Sequence, residues 1–123
     1  MRIESPNKRP LSTLIPGALL LLVLGGCAAT KQPPLFKSMT GEDVSLANKT
    51  LDASLESMAS GKGMTWLNSV NGHSGSVTPT GTYRRADGVY CRDYRETLTI
   101  DTRFQQWRDT ACRANDGRWI PVR

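Results

Sequence analysis

The chain has 123 residues, of which 38% are apolar and 22% charged, and its formal net charge is +5. This length allows one small domain and no more. Residues 1–26 hold three basic groups and one acid, so the rest of the chain carries only +3 with both signs interspersed, which excludes a nucleic-acid-binding patch.

The chain opens with a segment that is typical of a secretory signal. Leu11–Leu24 is almost wholly apolar and follows a basic start that contains Arg2, Lys8 and Arg9. The run is too short to span a bilayer comfortably, but it has the basic and apolar regions of a signal peptide. Export would place the protein in an oxidising compartment, where a disulfide persists.

The signal ends in the sequence LGGCA at positions 24–28, which resembles the bacterial lipobox. We therefore interpret residues 1–26 as a lipoprotein signal peptide, after which the sulfur of Cys27 carries diacylglycerol and the new amino terminus is acylated. Several acyl chains on one residue anchor a protein stably in membrane lipid, whereas a single chain is marginal. The alternative is an ordinary secretory signal cleaved near Ala28 or Ala29.

A polar tether and one helix are predicted next. Residues 27–39 form the anchor and a flexible, proline-bearing tether. Thr40 is a candidate helix cap with acids in the first turn after it. Gly61 and Gly63 are expected to end the helix. Apolar side chains recur on one helical face, which we expect to pack on a sheet: Val44, Ala47, Leu51, Leu55, Met58 and Ala59.

From Gly63 onward the pattern changes to the period of two that predicts strands. Asn71-Gly72 is a hairpin signal between the first two strands, and Pro79 is expected to stop the second. The predicted pieces are Met64–Ser69, Ser74–Thr78, a short third strand or extension at Thr82–Arg85, and a long hairpin from Val89 to Arg113 followed by a strand at Arg118–Ile120.

The long hairpin carries two cysteines. A simple turn at Asp101-Thr102 places Cys91 opposite Cys112, although a bulge would shift this pairing by one residue. A bridge closing a loop of about 22 residues would contribute roughly 3 kcal/mol in the chain-entropy model. Two free thiols are the alternative. Residues 40–123 are thus expected to form one α+β, mainly β domain, with one N-terminal helix packed on a small antiparallel sheet of about five or six strands, stabilised by one disulfide.

An ordered set of motifs resembles the C-terminal domain of the rickettsial 17-kilodalton surface antigen family, over about Leu51–Val122. The motifs are Trp66-x-Asn68, Gly75-x-Val77-x-Pro79, Cys91-Arg92-x-Tyr94 and Ala111-Cys112-Arg113-x-x-Asp116-Gly117-x-Trp119. The resemblance implies a lipoprotein of the proteobacterial outer membrane with a structural or display role in the envelope and no established enzymatic mechanism. Ala28 after the lipidated cysteine resembles the outer-membrane sorting signal. The chain departs from many members, because residues 28–63 lack a glycine-zipper segment.

The sequence gives little support to an enzyme, and we expect no catalytic residues, cofactor or metal. The single histidine, His73, lies beside Ser74 and Ser76 in a predicted hairpin loop, where we expect an exposed turn residue. Neighbours in such a loop have the wrong geometry for a Ser-His-acid arrangement. One histidine and two oxidised cysteines cannot supply the three or four ligands of a metal site.

A binding surface is the remaining candidate. Arg84, Arg85 and Trp107 are the residues we select, with Trp107 opposite Glu96 on the more exposed face. Arginines there would recognise lipopolysaccharide phosphates, peptidoglycan carboxylates or an acidic envelope protein. A solvated face with weak cross-strand ion pairs is the alternative. A second functional hypothesis is a periplasmic inhibitor of a cell-wall hydrolase such as lysozyme, presenting the arginines or the loop at Gly72–Gly75.

Overall fold

The computed structural model describes Gly17 and residues 32–122. The rest of the predicted signal peptide lies outside the described residues, and so does Cys27. The part from Gln32 onward forms one compact unit. No helix in the described part combines the length and apolarity needed to cross a membrane. Its elements are the 3₁₀ helix Leu35–Ser38, the helix α1 Gly41–Ser57 and the strands β1 Met64–Leu67, β2 Ser74–Arg84, β3 Tyr90–Ile100, β4 Arg103–Arg113 and β5 Trp119–Pro121.

The five strands form one sheet in the order β1-β2-β3-β4-β5, and every neighbouring pair is antiparallel. Helix α1 contacts β1, β2 and β5. This architecture confirms the predicted α+β, mainly β domain with a leading helix. The sheet is a meander because a short connection of two to six residues joins each strand to the next, which favours antiparallel pairing of neighbours.

Strand β2 is longer than predicted, because it continues through Pro79 to Arg84. The pairing with β3 shifts between Pro79 and Gly81, which is a β-bulge. A bulge tolerates proline because the ladder is already locally interrupted there. The expected stop at Pro79 was therefore wrong, and the predicted piece at Thr82–Arg85 is largely an extension of the same strand.

The register of the long hairpin is confirmed residue by residue. Ile100 pairs with Arg103 across the turn, and Asp101 takes a positive φ of 55° there. Cys91 pairs with Cys112, their Cα atoms lie 4.0 Å apart, and their sulfurs are bonded. The turn thus contains no extra residue, and the bulge that would have separated the cysteines does not occur.

Helix α1 begins where the sequence predicts and ends earlier. The Thr40 side chain accepts from the Asp43 amide, and the Asp43 carboxyl accepts from the Thr40 amide at 2.8 Å, which completes a capping box. The helix stops at Ser57, and Met58 is already extended. Gly61 instead forms a separate turn with φ +89°, and its amide donates to the carbonyl of Pro79 at 2.8 Å.

Two clusters of buried side chains fill the space between helix and sheet. Both draw on the predicted helix stripe through Ala47, Leu51 and Leu55. The first contains Leu51, Leu55, Val77, Tyr94, Ala111 and Trp119. The second contains Leu35, Ala47, Trp66, Leu98 and Ile100.

Residues 32–39 were predicted as part of a flexible tether, but the structure packs them on the domain. Leu35 is completely buried, and its amide donates to Oε1 of Gln105 at 2.7 Å. Arg103 donates to the carbonyl of Pro33 at 3.4 Å. Leu35 therefore attaches this part of the segment to the domain, where its side chain belongs to the second core cluster.

Replacing Gly75 by alanine is expected to cost about 1–3 kcal/mol of unfolding free energy. A Cβ at this buried position would lie 2.5 Å from the carbonyl oxygen of Thr97 and 2.5 Å from Nε1 of Trp66, its cross-strand partner. Urea unfolding followed by tryptophan fluorescence measures the effect. Gly81→Ala is the matched control, since its Cβ would meet only Oδ2 of Asp93 at 3.8 Å. Equal midpoints for both variants would contradict the expectation.

Candidate functional site

The pairing registers divide the sheet into a face covered by the helix and an opposite open face. Because side chains alternate along a strand, Tyr94, Glu96 and Leu98 share one face of β3. Tyr94 and Leu98 belong to the core beneath the helix. Glu96 therefore lies on the covered face as well, and so does Trp107, its direct partner on β4.

The placement of Trp107 corrects the sequence prediction. The pair with Glu96 is as expected, but Trp107 is half-buried and packs against the second core cluster. The predicted register determines which side chains share a face of the sheet, but it does not determine which of the two faces the helix covers. Trp107 consequently contributes to the wall of a cleft beside the helix, and it does not present its ring on an open sheet surface.

Arg84 and Arg85 lie at the far end of the sheet from Trp107. Arg84 pairs with Tyr90, whereas Trp107 pairs with Glu96, six positions along β3. That separation corresponds to about 20 Å at about 3.3 Å per residue. The structure therefore does not bring the three predicted residues together into one binding surface.

Both arginines already have local partners. The Arg84 guanidinium lies 5.4 Å from the ring centre of Tyr90, a cation–π contact. Arg85 forms an exposed ion pair with Asp87, and its Nη1 lies 4.0 Å from Sγ of Cys112. The Arg85 hydrogen bond holds the pKa of Asp87 at about 2. These contacts order the turn between β2 and β3 next to the disulfide.

Further arginines tie the helix to the sheet. Nη1 of buried Arg92 donates to the carbonyl of Leu55 near the helix end at 2.6 Å. Nε of Arg113 donates to Glu56 at 3.0 Å, and Nε1 of Trp119 donates to the same carboxyl at 2.9 Å. The sequence showed the many arginines but not these partners, which lie far away along the chain.

A cleft lies between the 3₁₀ helix, helix α1 and strands β3 and β4. Its volume is about 600 Å³. Sequence reasoning missed it, because its walls come from segments far apart along the chain. The residues that line it are Pro34, Phe36, Met39, Val44, Ala47, Asn48, Leu51, Tyr94, Glu96, Gln105, Gln106, Trp107, Asp109 and Pro121.

The one histidine is held by a buried carboxyl group. Nδ1 of His73 lies 2.7 Å from Oδ2 of Asp43, and only 13% of the His73 side chain is exposed. Asp43 is completely buried and also accepts from the side-chain amides of Asn68 at 2.7 Å and Asn71 at 3.2 Å. The expectation of an exposed turn residue was wrong, because the loop folds back onto the start of helix α1.

The surroundings of Asp43 strongly favour its ionised form. Burial alone would raise the pKa of the Asp43 carboxyl, but hydrogen bonds from His73, the Thr40 amide, Asn68 and Asn71 hold that pKa well below its usual range. Ser74 and Ser76 lie on β2, and Ser76 Oγ is 2.6 Å from Oγ1 of Thr97. The cluster therefore fixes the loop between β1 and β2.

Among residues 32–122 no group of three or more histidine, cysteine, aspartate or glutamate side chains is arranged to hold a metal ion. Cys91 and Cys112 are bonded to each other. The surface of the described part also carries exposed apolar side chains and the cleft beside Trp107.

Comparison with known proteins gives a consistent family match. Residues 53–120 match the model of a family described as the 17 kDa outer membrane surface antigen. The chain is 42% identical to the "17 kDa surface antigen" of Rickettsia conorii over 84 residues, which cover 68% of this chain and 53% of the relative. The corresponding antigen of Rickettsia bellii is 39% identical over the same coverage. The chain thus spans about half the length of these curated relatives. No solved structure matches it significantly.

Proposed function

The chain belongs to the 17 kDa outer membrane surface antigen family, and we propose from that premise that it is a non-enzymatic lipoprotein of the outer membrane with a structural or display role in the envelope. The observation that carries the proposal is the lipobox-like sequence at positions 24–28 directly upstream of the family domain. In this proposal outer-membrane lipid is the first partner, reached through acylated Cys27.

The spacing between anchor and domain supports a position close to the membrane. Leu35, the first buried residue of the described part, follows Cys27 by eight positions. Even a fully extended chain spans only about 3.3–3.6 Å per residue, so Leu35 would lie no more than roughly 30 Å from Cys27. A domain held this near the membrane suits display or a structural role better than diffusion to distant partners.

Replacing Cys27 by alanine is expected to abolish membrane association, because the acyl chains have no other attachment site in this proposal. Fractionation of cell envelopes measures the distribution, and intact mass of the purified protein reports loss of residues 1–26 and the added lipid. Ala28→Asp is the matched control, since it leaves the cysteine in place and changes only the residue that resembles the outer-membrane sorting signal. An unlipidated mass for the unsubstituted protein would sink the proposal.

A second candidate is the inhibitor of a cell-wall hydrolase, and one observation favours it. The loop between β1 and β2 is held by Asp43 through Asn71 and His73, while Val70 at its tip is 84% exposed. A preordered loop with an apolar tip loses little entropy when it enters a cleft. Gly75, part of the loop predicted from sequence, lies instead in β2 beneath Trp66.

Titration against lysozymes tests this second candidate. The expected result is inhibition by the unsubstituted protein that weakens at least tenfold in Val70→Asp, because a charged tip would be desolvated on binding. Lys62→Gln, at an exposed position outside the loop, lowers the net charge by the same one unit and is the control. Full hydrolase activity at micromolar protein would remove the inhibitor hypothesis.

A further inference from the structure

Strand β4 has an outer edge that is only partly covered within residues 32–122. Strand β5 pairs with Ala111–Arg113 alone, and the Val122 amide extends this contact by one hydrogen bond of 2.8 Å to the Thr110 carbonyl. At the other end, Leu35 binds the Gln105 side chain. On the side away from β3, residues 106–108 between these contacts pair with no further strand among the described residues, over a gap of about 10 Å.

Two residues of β4 in this gap direct their backbone polar groups away from β3. In the two-residue hairpin, Ile100 and Arg103 exchange backbone hydrogen bonds, and so does every second pair from there, including Glu96 and Trp107. Gln106 and Arg108 therefore direct their N–H and C=O groups away from β3. The hydrogen bond at Thr110, two positions further, has this same outward direction. The edge thus offers two donors and two acceptors to an added strand.

The cleft lies directly beside this edge, and Gln106, Trp107 and Asp109 belong to both. It combines aromatic and aliphatic walls with two acids, Glu96 and Asp109, and no lysine, arginine or histidine is among its described lining residues. The chain around it is basic overall. A long basic side chain complements such a lining, because its alkyl stem packs on Trp107 while its charge meets carboxyl groups and the aromatic ring.

We propose that this edge and cleft form a docking site for an extended basic peptide segment of a partner protein, which adds to β4 as a short strand. Backbone hydrogen bonds to Gln106 and Arg108 hold the segment, and every second side chain, a lysine or arginine, enters the cleft beside Trp107. Strand addition of this kind takes affinity from the main chain and specificity from alternate side-chain pockets. The site is independent of the lipid anchor, since it consists wholly of residues 32–122.

The experiment uses the full chain in detergent and a labelled, end-capped peptide of alternating lysine and threonine. Fluorescence polarisation is expected to show binding at least tenfold tighter than for the matched peptide of alternating glutamate and threonine. The double variant Glu96→Gln with Asp109→Asn is expected to lose at least tenfold in affinity. Asp87→Asn with Asp116→Asn removes two exposed acids outside the cleft, so it changes the net charge equally, and it is the control that keeps full affinity.

Two measurements separate strand addition from simple charge attraction. N-methylation of every second peptide residue removes backbone donors without changing charge. Two such peptides exist, one methylated at the odd and one at the even positions. Only the peptide methylated at the residues that donate to β4 is expected to lose binding. Gln106→Pro removes one outward donor while sparing the ladder to β3, and it is expected to weaken binding where Gln106→Ala does not. Equal binding of all peptides would overturn the proposal. So would sedimentation showing a dimer that the peptide does not dissociate, because the edge would then be occupied by a second copy of the chain.

Discussion

Replacing Asp43 by alanine is expected to lower the free energy of unfolding by about 3–5 kcal/mol, the range for removing one partner from a buried charged pair. The carboxyl is completely buried, and it caps helix α1 while holding Asn68, Asn71 and His73. Its loss leaves these donors without their acceptor. Urea unfolding at neutral pH measures the change, and Glu42→Ala, an exposed acid of the same turn, is the control.

The same carboxyl predicts a direction for the effect of pH. Its pKa in the folded domain lies well below the ordinary value of 3.8, so the ionised form contributes stability that is fully present above about pH 5. That contribution is lost as the pH falls through the unfolded pKa toward the folded one. Asp43→Asn removes this titration, and its unfolding free energy is therefore expected to fall less steeply below pH 4 than that of the unsubstituted protein.

A result against this view is easy to recognise. If Asp43→Ala and Glu42→Ala unfold at the same urea concentration, the buried network does not hold the loop between β1 and β2. If the acid slopes of Asp43→Asn and the unsubstituted protein coincide, another carboxyl dominates acid unfolding.

The hairpin and the Asp43 cluster show what the sequence could and could not predict. The register that joins Cys91 to Cys112 follows from a local rule, since two alternating runs around a two-residue turn permit few pairings. The Asp43 cluster joins a helix cap to a loop about 30 positions away, and no local pattern encodes that contact. The sequence identified Asp43 only as an acid in the first turn of the helix, a position that is usually solvated.

In the candidate site, too, local pairing was predictable from the sequence and long-range contacts were not. Sequence alternation correctly placed Trp107 opposite Glu96, but the covered face depends on where helix α1 docks, and that is a tertiary choice. Burial of Leu35 was not predicted for a related reason, because the short Leu35-Phe36 pair after two prolines is too brief to show a periodicity. The cleft and the open edge of β4 arise from both of these placements, so neither was visible before the fold.

Removing the disulfide is expected to cost about 3 kcal/mol, and about 12–24 °C in melting temperature for a domain of this size. The bond between Cys91 and Cys112 closes the whole long hairpin at the end opposite its turn, with a sequence separation of 21. Opening it mainly enlarges the conformational freedom of the unfolded chain. The folded register is expected to persist, since strands β3 and β4 remain paired along their length.

The double variant Cys91→Ala with Cys112→Ala tests this without leaving a free thiol. Thermal unfolding by circular dichroism measures the loss, and native-state amide exchange in β3 and β4 reports whether the register survives. Asp93→Ala with Thr110→Ala is the matched control, because this adjacent cross-strand pair shares the face of the disulfide and is joined only by a hydrogen bond. Its removal is expected to cost about 1 kcal/mol. If the two double variants melt together, the bridge does not stabilise the domain through chain entropy, and the strand pairs and core suffice.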